Sequence, residues 1–178
     1  LVLLQRDIRE IFARVDKRTR TKIRRATNGG VEIVKDETKD VKKLFGFVQN
    51  KDGSPISFYR KMCEEFGSDI DIYYAKVNTE TFLINSRRNY EKELEYNNIL
   101  AESIQNLDLD DKERTNNINK KMESDKLIVS YKKSLLAATD LLKNNPEGII
   151  IGGAMVIKYD NAAFVYTEGI DEEYGYLN

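Results

Sequence analysis

The chain has 178 residues, room for one ordinary domain or one small domain with an appendage, and it is polar, with 40% apolar and 33% charged residues at a net charge of −1. It contains no histidine and one cysteine, Cys63, which excludes Ser-His-Asp and Cys-His catalysis and any internal disulfide, and deprives a zinc site of its usual ligands. The balanced charge removes a global electrostatic case for nucleic acid, no apolar run reaches the roughly 18 residues of a membrane span, and the whole reads as cytoplasmic. In chain order, Leu4–Val15 has apolar residues at Leu4, Ile8, Ile11, Phe12 and Val15, which is helical spacing. A second helix follows from Asp16, a candidate N-cap, to the stop at Asn28-Gly29-Gly30, and six of its nine residues from Lys17 to Arg25 are basic. Val31–Val34 reads as a strand, Asp36–Asn50 as a helix, KDGSP as a loop, Ile56–Phe66 as another helix and Ile70–Val77 as a strand.

From Thr79 to Lys143 there is neither Pro nor Gly. Asn78 or Thr79 can cap a helix there. Leu83, Tyr90, Leu94, Ala101 and Ile104 form a 3-4 spaced stripe, with Arg87 and Asn97 at two seam positions. A second helix runs from about Lys112 to Lys143 with Ile128, Tyr131, Leu135, Ala138 and Leu142 on its stripe. The turn is expected between Asn106 and Glu113. Residues 79–111 hold three cationic and eight acidic side chains, and residues 112–143 hold eight and four, which favours pairing the helices side by side. Polar seam residues trade stability for register, so replacing Asn97 with Leu is expected to stabilise the pair. Asn144-Asn145-Pro146 ends the second helix. Gly148–Ile157 and Ala162–Tyr166 read as two strands joined by YDN, and Glu172–Leu177 as a helix start. The start at Leu1 and the stop after YGYLN read as the limits of an excised fragment.

The order of basic helix, strand, two helices, strand, long helical hairpin and two strands resembles the FemABX family, tRNA-dependent aminoacyltransferases that build peptidoglycan cross-bridges. KRTRTKIRRATNGGVEIV (Lys17–Val34), FYRKM (Phe58–Met62) and IIIGGAMVIKYDNAAFVYTEGIDEEYGYLN (Ile149–Asn178) carry the resemblance. It implies an α/β fold, a partial GNAT-like mixed sheet with an inserted long antiparallel helical hairpin, a coiled-coil arm. On that reading residues 1–77 are the basic helix and the first half of a GNAT-like domain, 78–144 the arm, and 145–178 the return strands.

The resemblance also implies site residues. Tyr59 matches a Tyr that contacts a UDP-linked muropeptide in family members. The Arg that precedes it by four residues is replaced here by Pro55, and the loop before it is short. Tyr166 matches a substrate-facing Tyr near a strand end. Each has a plainer reading as a core or strand-end aromatic. Lys120, Lys121 and Lys126 on the second arm helix are the residues that would meet tRNA phosphates, against the reading that they offset the acidic first helix. The basic run Lys17–Arg25 is open to the same two readings, phosphate contact or solvated face. Asp69 and Asp71 read as strand-edge charges, and Gly152-Gly153 as a bulge or close approach within a strand.

The implied partners are aminoacyl-tRNA and a lipid-linked or UDP-linked muropeptide, with a transient membrane-surface association through a lipid-linked acceptor. No cofactor and no metal are implied. Transfer from an activated ester needs positioning, oxyanion donors and a path for the amine proton, not an enzyme nucleophile, so the absence of histidine is compatible with it. Such a channel needs both halves of the family's fold, so the fragment alone is expected to be inactive. The competing reading is a non-enzymatic coiled-coil interaction module on a small α/β base.

Overall fold

The computed structural model describes residues 2–3, 7–48, 53–106 and 110–177. The chain divides into two compact units, residues 1–78 with 148–178, and residues 79–147.

The first unit is an antiparallel sheet with helices. Its elements are β1 (Val2–Leu3), α1 (Ile8–Arg14), α2 (Lys17–Asn28), β2 (Val31–Asp36), α3 (Val41–Val48), α4 (Ile56–Phe66), β3 (Ile70–Val77), β4 (Ile149–Tyr159) and β5 (Ala162–Ile170), with a final 3₁₀ turn at Glu172–Leu177. The sheet order is β1-β5-β4-β3-β2. Every pairing among the described residues is antiparallel, where the resemblance implied a mixed sheet. The register explains how an insertion is tolerated. Val77 at the end of β3 pairs with Ile149 at the start of β4, so the chain leaves and re-enters the sheet at one place, as across an enlarged hairpin. β4 and β5 are joined by a tight turn at Asp160-Asn161, with Asp160 at φ 53°.

α3 and α4 cover one face of this sheet. Val41, Leu44, Val48, Tyr59 and Met62 pack on Ile70, Ile72, Tyr74, Met155 and Ile157. Ile70, Ile72 and Tyr74 alternate with Asp71, Tyr73 and Ala75, so the latter three belong to the other face. The helix expected from Asp36 begins only at Val41. The Asp36 carboxylate accepts from the backbone N–H groups of Thr38 and Asp40 and from the Thr38 hydroxyl, and Lys39 takes φ 51°. This Asx-type turn competes successfully with helix. Asp40 then accepts from the N–H groups of Lys42 and Lys43 and starts α3. The expected end of that helix at Asn50, the KD of the KDGSP loop and residue Leu4 lie outside the described residues. Among the described residues α1 runs Ile8–Arg14, capped by Asp7.

Two glycines allow close approach. A Cβ on Gly169 would stand 2.1 Å from the Phe47 carbonyl oxygen, and one on Gly153 would stand 3.0 Å from the Tyr74 ring. The GG pair is thus a packing device beside an irregularity. Ala75 pairs with Gly152 and Lys76 with Ile150, so Ile151 is the extra residue of a bulge.

The second unit is a helical hairpin of α5 (Thr79–Gln105) and α6 (Asp111–Asn144), about 40 and 51 Å long at 1.5 Å per residue. Leu107–Leu109 of the expected turn lie outside the described residues. Asp110 caps α6 by accepting from the Glu113 N–H at 2.8 Å. Cross-helix hydrogen bonds fix the antiparallel register: Thr79 hydroxyl to the Asn145 carbonyl, Asn97 to Ser124, and Asn117 to Ser103. The inward positions of α6 run 117, 121, 124, 128, 131, 135 and 138, and those of α5 run 86, 90, 93, 97, 100 and 104, while toward the open end of the hairpin Phe82 and Leu141 are the buried residues. This seven-residue repeat is the seam geometry of paired helices. It passes through Ser86, 5% exposed, and leaves Arg87 outside, so the expected seam place of Arg87 is corrected. Asn97 is on the seam and 8% exposed.

Candidate functional site

In the α/β unit, the residues implied as acceptor-binding converge through an aromatic chain. Tyr59, on the inner face of α4, is fully buried. Its ring lies 6.2 Å from Phe45 and 5.7 Å from Phe58, the latter edge-on. Phe58 in turn lies 6.3 Å from Tyr166. Phe58 and Tyr166 are 39% and 41% exposed. The surface that a ligand would meet is therefore the Phe58–Tyr166 pair, with Tyr59 beneath it as a core anchor. Tyr59 has no surface to offer a substrate directly, because α4 turns it into the same layer as Leu44 and Met62.

Tyr166 is not at a strand end. β5 continues to Ile170, and Tyr166 sits in its middle at a second bulge, where Met155 pairs with Thr167 and Val156 with Val165. A bulge adds a residue without a partner and re-aims its side chain. Neighbouring Thr167 and Gly169 are buried toward α3, while Tyr166 emerges. Phe58 was not singled out as a site residue. The signal for it was only its place beside Tyr59 in FYRKM. Pro55 stands at the N-cap of α4 and provides no side-chain cap, so the phosphate-binding Arg of the resemblance has no equivalent at that position.

The face of the sheet away from α3 and α4 carries a different arrangement. Asp71, with its side chain 8% exposed, receives Lys35 at 3.0 Å from β2 and Lys158 at 3.1 Å from β4. The Tyr73 hydroxyl donates to the same carboxylate at 3.4 Å. Burial works to raise the Asp71 pKa, but the hydrogen bonds from Lys35 and Lys158 outweigh it and hold the carboxyl below its ordinary range. The triad ties three neighbouring strands together. It uses both oxygens of Asp71, which makes this residue a cross-strand anchor and not half of a catalytic dyad with Asp69. Beside it lies an open depression of about 470 Å³ floored by Ile33, Ala75, Gly152 and Val156, with Tyr73 and Glu168 as its polar lining. Neither Tyr59 nor Tyr166 lines that depression, so concavity and the aromatic pair do not coincide. The aromatic pair is the feature that joins both tyrosines named by the resemblance. Among the described residues no group of three His, Cys, Asp or Glu side chains could hold a metal ion.

In the hairpin, the three implied lysines differ. Lys120 and Lys126 are exposed and have no ion pair among the described residues. Lys121 lies on the seam and is bound to Asp125 at 3.0 Å. Asp125 also accepts from Asn97 at 2.8 Å, and Asn97 donates to Ser124 at 3.1 Å. The hydrogen bond from Lys121, then that from Asn97, hold the Asp125 carboxyl below its ordinary range. Lys121 is therefore part of a polar layer that closes the seam, and the two outer lysines are the ones left to meet an anion. Among the described residues no helix is long and apolar enough to cross a membrane.

A family model described as "FemAB family" matches residues 2–178. The chain is similar in structure to the crystal structure of FemX, with a TM-score of 0.62 at 15% sequence identity over 97% of this chain and 44% of that chain. It thus spans less than half the length of that relative. No curated protein matches the chain.

Proposed function

Because this chain belongs to the FemAB family, we propose that the full protein moves an amino acid from aminoacyl-tRNA to the stem peptide of a peptidoglycan precursor in cross-bridge synthesis. The observation that carries this reading is the family match across both units, the sheet with its aromatic pair and the long helical hairpin. The α/β unit is then the arm-bearing part of a GNAT-like domain, and the protein acts in the cytoplasm. An amine of the acceptor attacks the ester carbonyl of the donor, a tetrahedral oxyanion forms, and the tRNA hydroxyl leaves with the electron pair of the broken C–O bond. The proton lost by the amine must reach that leaving oxygen or solvent. Binding and alignment supply much of the rate in such a reaction.

In this reading Tyr166 and Phe58 contact the acceptor, and Tyr59 is a positioning residue that fixes Phe58. Lys120 and Lys126 contact the donor tRNA by phosphate charge. Lys121 supports them by holding Asp125. The acceptor is lipid-linked or UDP-linked, and a lipid-linked one would bring the protein transiently to a membrane surface. The test is transfer of a labelled amino acid from a panel of charged tRNAs to muropeptide by the full-length protein. Transfer with at least one charged tRNA supports the reading, and its absence with every tRNA and both acceptor forms refutes it. The 178-residue chain alone is expected to be inactive.

One observation favours a second reading. Met122, Val129 and Leu136 recur every seven residues on the outer face of α6 and are 57%, 57% and 58% exposed, which suits a protein contact on the hairpin. Transfer activity that survives deletion of the hairpin tip would favour that role for the arm.

A further inference from the structure

The basic run of α2 sorts into two sets of side chains with different partners. At 100° per residue, Arg18, Lys22 and Arg25 fall within an arc of about 60° and span about 10 Å of the helix axis. Arg20 and Arg24 point to the opposite side. Arg20 donates to the Ala13 carbonyl at 2.7 Å, and the Arg24 guanidinium lies 5.7 Å from the centre of the Phe12 ring. Those two cations fasten α2 to α1. Arg18, Lys22 and Arg25 are exposed and make no ion pair among the described residues.

The acids that precede α1 and α2 are already engaged. Asp7 accepts from the Arg9 N–H and caps α1, and Asp16 accepts from the Thr19 N–H at 3.0 Å and caps α2. The hydrogen bonds from Thr19 hold Asp16 ionised below its ordinary range. The ridge is therefore a row of three cations on a helix whose cap carboxylate faces a backbone donor.

Neither α1 nor α2 has a fully buried residue, so the ridge does not serve the packing of the described fold. No apolar residue lies on it, and Ile23 stands about 100° away around the helix. A lipid surface is held by an apolar face combined with cations, whereas a row of cations alone suits a chain of phosphates.

We propose that the Arg18–Lys22–Arg25 ridge of α2 is a contact surface for an RNA phosphate backbone, that of the donor tRNA. The inference rests on the reading that aminoacyl-tRNA is the donor, and it adds a second contact, in the α/β unit, to that of the arm. Three neutralised phosphates contribute a slope of about −2 to −3 in log affinity against log salt.

The test compares the full-length protein with its Arg18→Glu/Lys22→Glu/Arg25→Glu variant, using uncharged tRNA over a salt series and, in parallel, vesicles of phosphatidylglycerol and phosphatidylcholine. Circular dichroism and melting confirm that the variant is folded. A second variant, Arg18→Gln/Lys22→Gln/Arg25→Gln, removes charge without reversing it, should one fail to fold. The expected result is at least a tenfold loss of tRNA affinity and a salt slope shallower by about 2 to 3. Unchanged affinity and slope in a folded variant, with wild-type protein binding tRNA, overturns the proposal and leaves the donor reading standing. Wild-type protein that binds no tRNA overturns both. Vesicle binding that is lost in the variant while tRNA binding is kept assigns the ridge to an anionic membrane instead.

Discussion

The α/β unit and the helical hairpin solve the same problem, holding long elements together, with opposite chemistry. Among the described residues, the unit packs α3 and α4 on the sheet through a cluster of buried side chains, all apolar or aromatic, and its bulges and close glycines create irregular places where a side chain such as Tyr166 can emerge. Among its described residues the hairpin buries Phe82, Leu100, Ala138 and Leu141, and it places Ser86, Asn97 and Ser124 on its seam. The difference teaches that burial supplies most of the stability in the first and that hydrogen-bonded layers set register in the second.

The largest expected effect is on the unit. Gly169→Ala puts a methyl group 2.1 Å from the Phe47 carbonyl oxygen, so α3 must move away from the sheet. A loss of about 3 kcal/mol or failure to fold is expected, read by denaturant titration. A variant with wild-type stability would show that α3 is less tightly seated than the packing implies.

A smaller effect is expected in the hairpin, and it reverses the expectation from sequence. Asn97→Leu removes the donor to Ser124, which is 1% exposed, and to Asp125. It is expected to lower stability by about 1 to 2 kcal/mol, because a buried hydroxyl is left without its partner. Adding Ser124→Ala should recover most of that loss, since removing both partners costs far less than removing one. A higher melting temperature for Asn97→Leu alone would restore the original expectation that Asn97 only interrupts an apolar stripe.

The smallest effect concerns the sheet's outer face. Asp71 has a depressed carboxyl pKa, so its contribution is present above its unfolded value of about 3.9 and is lost as pH falls through the lower folded value. Asp71→Asn should lower stability at neutral pH by about 1 kcal/mol, given that both lysines are partly solvated. It should also flatten the stability curve below about pH 4. An unchanged acid limb would mean that the triad is too solvated to matter.

How much of this was legible in the sequence depended on whether the cause was local. The limits of α4 and β3, the break at Asn106–Glu113 and the 3-4 stripe of α6 follow from periodicity and caps close in sequence. The late start of α3 was also a local effect, but a helix read from Asp36 does not reveal that the Asp36 carboxylate closes an Asx-type turn on Thr38 and Asp40. The cross-strand anchor was not legible, because Lys35, Asp71 and Lys158 meet only through the register of three strands. The burial of Tyr59 and the emergence of Tyr166 at a bulge depend on the same register. Ser124 was missed on the seam because small polar residues carry no apolar signal, although they keep the seven-residue spacing.

The central claim is that acceptor contact resides in the α/β unit and that the hairpin lysines Lys120 and Lys126 contribute donor contact. Steady-state kinetics of the full-length protein tests it most directly, comparing Tyr166→Ala with Lys120→Glu/Lys126→Glu and leaving Lys121 in place because it closes the seam. The account predicts that Tyr166→Ala raises the KM for muropeptide about tenfold or more and leaves that for aminoacyl-tRNA unchanged. The lysine variant should raise the KM for aminoacyl-tRNA by a similar factor at low salt, less at higher salt, with no change for muropeptide. Both variants altering the same constant, or neither altering its own in a folded protein, would contradict it.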